Sequence, residues 1–182
     1  KEFRGSLNAY HLLVLHQPYQ AGGNIDNLLS QIRSSGIPLL IMAGALTDFT
    51  LLNSLPSGFM IEPQLSSFNE ARPGIGDGFG LFVVPQHIKS MMDAWPPLYT
   101  PFATHRHSGQ PQVFAYQRIG RVMSRDPLIA FNRVDGRKTG LISGEGIWRW
   151  RLTAFQQSGS HKDFDDLMAS MVHYLSVKED KN

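Results

Sequence analysis

The chain has 182 residues, of which 42% are hydrophobic and 18% are charged, so its length suits one domain and its apolar content suffices for a substantial core. Seventeen basic and fifteen acidic residues give a formal net charge of +2, and no lysine or arginine run supplies the basic patch that nucleic-acid binding needs. Cysteine is absent, which excludes thiol nucleophiles, thiolate metal sites and disulfides.

Apolar runs alternate with amphipathic segments in the first part of the chain. The runs Tyr10–His16 and Pro38–Ala43 are nearly continuous in apolar residues, which is typical of strands covered on both faces. Apolar spacing predicts a helix over 26–35 that ends at Gly36, and Thr47 is placed to cap a short helix after the second run. This order predicts a βαβα unit with parallel strands and a right-handed crossover.

Turn residues precede the first of these helices. Pro18 and the pair Gly22-Gly23 mark the turn, and either Asn24 or Asp26 is placed to cap the helix.

The middle of the chain is rich in Pro, Gly, Ser and Asn, which predicts a long loop over 56–84 that ends in a short strand, Phe79–Val84. Its glycine-rich part, Arg72–Gly80, has neither the dinucleotide fingerprint nor the Gly-Lys-Ser/Thr ending of a phosphate-binding loop. A flexible loop is therefore favoured over a phosphate site. A helix over 85–95 follows, with Pro85 in its first turn.

The pattern then changes to β. Strands are predicted at Val113–Gln117, Leu128–Val134 and Lys138–Ser143, and Asp135-Gly136 predicts a tight hairpin between the last two. Gly144–Leu152 is typical of a turn that leads into a helix.

The last predicted element is an amphipathic helix over 161–176, with Ser160 and Asp163 as a capping box. Its most buried residues are expected to be Leu167, Met171 and Leu175.

Two short sequences contain candidate binding residues. His105 and His107 would share one face of a strand, but no nearby acidic residue or third histidine completes a metal site, so a surface loop is favoured and no metal is predicted. The sequence Trp148–Arg151 (WRWR) is either a recognition patch or a helix that buries Ile147 or Trp148 together with the Arg151 and Leu152 stems. We favour the buried helix over the recognition patch.

The order of several segments resembles a known family. These segments are Leu12–Pro18, Gly36–Phe49, Trp95–Phe102, the YQRIG…DPLIAF stretch and GEGIWRWRL. Together they resemble a class I glutamine amidotransferase-like domain, of the kind found in large bacterial membrane proteins of the von Willebrand factor A type. The resemblance implies an α/β fold: a flavodoxin-like, mainly parallel sheet with helices on both faces and an antiparallel hairpin near the C-terminal end.

The resemblance also implies where a catalytic site would lie. Working members carry a cysteine on the elbow that falls here at Gly44-Ala45-Leu46, and a His-x-Glu pair of which only Glu145 has a counterpart. Without a thiolate, glutaminase chemistry is excluded, so we assign no catalytic residue, metal or cofactor. The expected remnant is a cleft without catalytic residues, formed by Gly44, Ala45, Thr47, Glu145, Trp148 and Arg149.

Two classes of function follow as hypotheses. The first is a non-catalytic interaction or sensing module of a bacterial envelope protein, on the extracytoplasmic side, with a protein partner. The alternative is a hydrolase that uses Glu145 and a histidine such as His16. A third hypothesis is sugar binding on Trp95, Tyr99 and Phe102, and only the aromatic character of these residues supports it. A catalytic site would place Glu145 within hydrogen-bond reach of a histidine, whereas a module would have a cleft filled by apolar side chains.

The chain ends favour a piece of a longer protein. We expect residues 1–182 to belong to a single domain, and we expect an N-terminal part of that domain to precede residue 1. No run of eighteen apolar residues and no signal peptide occur, so we expect membrane contact only through segments outside the chain.

Overall fold

A computed structural model describes residues 5–19 and 25–177, which form one seven-stranded sheet with helices packed on it. The strands are β1 (Leu13–His16), β2 (Leu39–Met42), β3 (Phe59–Ile75), β4 (Leu98–His107), β5 (Gln112–Ile119), β6 (Val122–Val134) and β7 (Arg137–Ile142). The helices are α1 (Asp26–Ser35), α2 (Phe49–Ser54), α3 (Gln86–Met92), α4 (Trp148–Ser158) and α5 (Lys162–Ser176). A single 3₁₀ turn spans Leu7–Ala9.

The parallel part of the sheet consists of β1, β2 and β7. Leu13 pairs with Leu39, and Leu39 pairs in turn with Thr139 on β7. The side chains of β2 enter two different cores, because Leu40 packs on one face of the sheet while Ile41 packs on the other. A strand with both faces covered needs a continuous apolar sequence, and β2 has one.

The rest of the sheet is antiparallel, and it corrects the predicted fold class. The strand order is β1-β2-β7-β6-β5-β3-β4. The pairs β7–β6, β6–β5, β5–β3 and β3–β4 are antiparallel, against two parallel pairs. The prediction of a flavodoxin-like, mainly parallel sheet is therefore wrong. The sequence predicted the three strands that do pair in parallel, but it missed the two long strands β3 and β4, whose pairing makes the sheet mainly antiparallel.

The predicted loop over 56–84 is mostly a strand. β3 runs from Phe59 to Ile75 and pairs with β4 in two stretches, up to Pro63 and from Phe68, while its last residues pair with β5. β4 was not predicted either. The segment Phe79–Val84 is not a strand. The described side chains in the middle of β3 are mostly exposed and polar, so this part of the strand has no buried side-chain face, and main-chain pairing on either side of the register shift holds it. Apolar alternation, the usual sequence signal of a strand, is absent there.

Two hydrophobic cores lie on the two faces of the sheet. One packs α3, α4 and α5 on the sheet and includes Trp95 and Trp150, whose ring centroids are 5.2 Å apart. The other packs α1 and α2 on β2 and β7 through Ile32, Leu52 and Leu141. None of the described helices is long and apolar enough to cross a membrane.

Several local predictions are confirmed. Helix α1 has the predicted bounds and ends at Gly36 in the left-handed region, with φ +64°. The hairpin between β6 and β7 turns at Asp135 and Gly136, which both have positive φ. Leu167 and Met171 are at most 1% exposed on α5, and Leu175 is fully buried.

The predicted caps are mostly wrong. Asp48, not Thr47, caps α2 by accepting a hydrogen bond from the Leu51 amide at 3.0 Å. Ser160 accepts from the Lys162 amide, while Asp163 pairs with His87 on α3, so no capping box forms. The predicted turn at Gly22-Gly23 and the cap at Asn24 lie outside the described residues.

Candidate functional site

Two turns meet where the parallel strands β2 and β7 end. The Ala45 amide donates to Glu145 Oε2 at 2.9 Å, and the Leu46 amide donates to Gln17 Oε1 at 2.8 Å. Within the first turn, the Gly44 amide donates to Thr47 Oγ1 at 2.8 Å, which explains why Thr47 is not a helix cap. The carboxyl ends of parallel strands lie at one edge of a sheet, so residues distant in sequence meet there.

Glu145 also connects β4, the last strand of the sheet order, to the end of β7. Its amide donates to the Tyr99 carbonyl at 3.0 Å, and the Tyr99 amide donates to the Glu145 carbonyl at 3.1 Å. Tyr99 belongs to β4, the last strand of the sheet order, whereas Glu145 follows β7, the third. The strands from β7 to β4 therefore curl until β4 meets the end of β7.

The guanidinium of Arg149 fixes the other wall of this site. It donates to the carbonyls of Pro97 and Gly146, and it stacks over the Tyr99 ring at 4.9 Å from the centroid. Gly146 has φ +97°, and a Cβ there would lie 2.7 Å from the Arg149 guanidinium. Only glycine allows this close approach.

These contacts leave an open groove of about 500 Å³ at the sheet edge. We call it the edge groove; its lining residues are His16, Gln17, Tyr99, Glu145, Gly146, Trp148 and Arg149. Trp148 is 64% exposed, and Leu46, on the turn bonded to Gln17, is 71% exposed. Backbone hydrogen bonds thus hold the Gln17, Glu145 and Arg149 side chains, whereas large apolar side chains face solvent beside them.

The structure brings the predicted cleft residues together. Gly44, Ala45 and Thr47 form one turn, Glu145 bonds to it, and Arg149 lines the same groove as Glu145. The groove is open and lined by polar and aromatic side chains, whereas the module hypothesis expected a cleft filled by apolar ones. The structure also corrects the WRWR prediction, since Trp150 is the buried residue and donates from Nε1 to the Pro96 carbonyl at 2.8 Å.

The Arg151 and Leu152 side chains, which the helix prediction buried, do not pack against the sheet. Arg151 bonds to Asp165 on α5 at 2.9 Å, and Leu152 is 51% exposed. Trp148 and Arg149 line the edge groove instead.

The geometry gives no support to the Glu145–histidine hypothesis. His16 lines the edge groove, but the hydrogen bond of the Glu145 carboxylate among the described residues is to the Ala45 amide. A general base must lie within hydrogen-bond reach of its partner. The sugar-binding hypothesis also weakens, because Trp95 is fully buried and its Nε1 donates to Gln157 at 3.1 Å.

Sequence reasoning missed a buried histidine cluster. His105 lies on β4, not on a surface loop, and its Nε2 is 2.9 Å from Ser143 Oγ, while its Nδ1 is 3.4 Å from Asp126 Oδ1. Burial lowers the pKa of His105 below its ordinary value, although Asp126 opposes the shift. The sequence contained no signal for this cluster, because His105 lies on β4, Asp126 lies on β6 and Ser143 follows β7, and only the curled sheet brings them together.

This serine–histidine–aspartate arrangement lacks an accessible nucleophile. Ser143 is 0% exposed, so no substrate carbonyl can reach its hydroxyl. The described residues also contain no group of three or more histidine, aspartate or glutamate side chains that could hold a metal ion.

No family model and no curated protein matches the chain. Among solved structures it is similar to a β-galactosidase from Rahnella sp. R3, with a TM-score of 0.52 and 13% identity over 94% of this chain and 24% of that one. A β-galactosidase from Bacillus circulans sp. alkalophilus gives a TM-score of 0.49 and 11% identity over 96% and 24% of the two chains. The N-terminal domain of mmIFT52 gives a TM-score of 0.45 and 14% identity over 95% and 81%.

The chain spans about a quarter of the length of either β-galactosidase. At 13% identity, the likeness to the Rahnella protein concerns the fold alone. None of the comparisons supports the glutamine amidotransferase resemblance.

Proposed function

We propose that this domain is a non-catalytic recognition module that binds a protein partner at the edge groove. One observation carries the proposal: the Gln17, Glu145 and Arg149 side chains are bonded to the domain's own backbone, while Trp148 in the groove and Leu46 on the adjoining turn are mostly exposed. A rigid polar frame with exposed apolar side chains suits binding better than catalysis.

The chemistry of the turn supports the non-catalytic part. Ala45 stands at the centre of the turn and has no reactive group. Glu145 accepts a hydrogen bond from the Ala45 amide, so its carboxylate holds two turns together. Among the described residues no serine, threonine or histidine side chain is hydrogen-bonded to this carboxylate, as activation of a nucleophile would require.

The residue types support a protein partner. Tryptophan, tyrosine and arginine dominate the binding energy of protein interfaces, and Trp148, Tyr99 and Arg149 adjoin one another here. The Arg149 guanidinium is pre-oriented by its bonds to Pro97 and Gly146, so the free domain has already lost part of the side-chain entropy that binding would otherwise remove.

We further propose that the module belongs to an envelope protein and acts on the extracytoplasmic side, as the resemblance of its sequence segments implies. Protease accessibility in intact and permeabilised cells tests this location. Digestion that requires disruption of the inner membrane would contradict it.

Site-specific crosslinking tests the binding proposal. A photoreactive amino acid in place of Trp148 should give a discrete adduct with one protein. The same photoreactive amino acid in place of Val122, which is 69% exposed on another part of the surface, should give none. A Leu46→Ala change in the position-148 variant should reduce the adduct, because Leu46 lies on the adjoining turn. Equal labelling from both positions, or none from position 148, would overturn the proposal.

An activity assay tests the proposal that the domain is non-catalytic. The purified protein should release no ammonia from glutamine and should not hydrolyse activated esters above background. A measured turnover that disappears in Glu145→Gln, or in Ser143→Ala, would replace the recognition module with an enzyme.

A further inference from the structure

The curled strands enclose a second cavity, distinct from the edge groove. It has a volume of about 360 Å³, and β3, β4, β5, β6 and β7 all contribute to its wall. This volume is within the roughly 300–1,000 Å³ of typical small-molecule sites. No residue lines both this cavity and the edge groove.

The cavity has an apolar interior and a basic wall. Its apolar surface comes from Met60, Val113, Ala130 and Leu141, of which the last two are almost fully buried. Its charged lining residues, Arg106 and Arg125, are both basic. Arg106 pairs with Glu62 at 3.2 Å, whereas the described residues provide no ion pair to Arg125.

Hydrogen bonds hold the rim of the cavity in place. Asn132 is 3% exposed, and its Nδ2 donates to the carbonyls of Ser108 at 2.8 Å and Gly58 at 3.4 Å. The Ser108 amide also donates to the Gly58 carbonyl at 3.0 Å. These bonds connect the start of β3 to the loop after β4, beside Gly109, which lines the cavity. A preformed site loses less entropy on binding than a flexible one.

One wall contains a buried histidine whose two ring nitrogens face protein groups. His105 lines the cavity and its side chain is 6% exposed. Its Nε2 is 2.9 Å from Ser143 Oγ, and its Nδ1 is 3.4 Å from Asp126 Oδ1. These contacts hold the imidazole in place as part of the cavity wall.

We propose that this cavity binds a small amphiphilic anion, with a carboxylate or phosphate head group at Arg125 and a short apolar body against Val113, Ala130 and Leu141. Arginine holds either head group through two parallel hydrogen bonds, and no lining residue among those described is acidic. The nearby carboxylates of Glu62 and Asp126 lie against Arg106 and His105 and do not line the cavity, so an amine of the same shape should bind more weakly than the anion.

Methyl NMR tests the proposal, because Met60, Val113, Ala130 and Leu141 all carry methyl groups in the cavity wall. Hexanoate or hexyl phosphate should shift these methyl signals in a saturable way, and comparison of the two shows which head group is preferred. Hexylamine should leave them unchanged. Equal binding of hexylamine, or no saturable shift with either anion, would overturn the proposal.

A pair of variants tests whether the Arg125 guanidinium binds the anionic head group. Arg125→Gln should weaken hexanoate binding at least tenfold, since it removes the unpaired guanidinium at the cavity. Arg121→Gln, an exposed arginine of the same β5–β6 hairpin that does not line the cavity, should bind as the unaltered protein does. Identical affinities of the two variants would show that the anion binds elsewhere. Thermal melts confirm that both variants fold.

Discussion

The parallel part of the sheet and the β3–β4 pair are built by different means. In the parallel part, β2 is buried through Leu39, Leu40 and Ile41, so the hydrophobic effect holds it on both faces. In the β3–β4 pair, most described side chains between Glu62 and Glu70 are exposed, and main-chain pairing to β4 up to Pro63 and from Phe68 holds this stretch. The first kind of strand is encoded in its own residues, whereas the second depends on a partner.

The two regions are connected at a few points, and these points determine whether they behave as one unit. The core that contains the buried face of α5 includes Leu40 from the parallel part and Ala71 and Leu98 from the β3–β4 pair. Asn53 on α2 bonds both backbone groups of Ile61 on β3. His105 on β4 bonds Ser143 at the end of β7.

The largest effect is expected from Met171→Asp. Met171 is fully buried in the core that α5 shares with the sheet, so the change should lower the free energy of unfolding by about 3 kcal/mol or more. Chemical denaturation followed by tryptophan fluorescence and by circular dichroism measures it. Val172→Asp is the control, because Val172 is 39% exposed. Two separate transitions would mean that the regions unfold independently, and equal effects of the two variants would contradict the docking of α5.

A smaller effect is expected from Asn53→Ala. The Asn53 side chain donates to the Ile61 carbonyl at 2.9 Å and accepts from its amide at 2.8 Å, in the manner of a neighbouring strand. Ile61 is fully buried, so unsatisfied backbone groups should cost about 1–3 kcal/mol.

Hydrogen exchange locates that loss. The Ile61 amide should exchange faster in Asn53→Ala, while the β2 amides keep their protection. Asn27→Ala, on the exposed side of α1, is the matched control and should change stability by less than about 0.5 kcal/mol. Faster exchange throughout the sheet would show that the two regions open together.

The smallest effect concerns pH. Burial lowers the pKa of His105 in the folded protein, so the unfolded chain binds a proton more readily. Stability should therefore be intact above the ordinary histidine pKa of about 6.5 and should decline as the pH falls below it toward the folded pKa. Urea denaturation at about pH 7.5 and about pH 5 measures this decline.

His105→Gln should reduce the pH dependence, whatever its effect on stability at neutral pH. His107→Gln provides the comparison, because His107 is exposed two positions along the same strand and should keep the full dependence. If both variants retain the same slope, His105 is not the group whose protonation weakens the contact between β4 and β7.

Only part of the candidate site was predictable. Gly44, Ala45 and Glu145 were placed together in advance, because the ends of parallel strands share an edge. Tyr99 was not associated with them, since β4 was not recognised and its pairing with Glu145 requires the sheet to curl. The cavity beside His105 was invisible for the same reason: five strands enclose it.

The sequence by itself determined the elements that carry their own burial pattern: α1, α5, the core of β2, and the Asp135-Gly136 hairpin. Tertiary structure alone decided β3 and β4, the balance of antiparallel over parallel pairing, and the contacts of Glu145 and His105. The physical reason is the range of the interaction. Periodic apolar residues and turn residues act over a few positions, so they appear in a local pattern. The backbone groups of an exposed strand are satisfied only by a neighbouring strand, and this pairing leaves no pattern in the side chains.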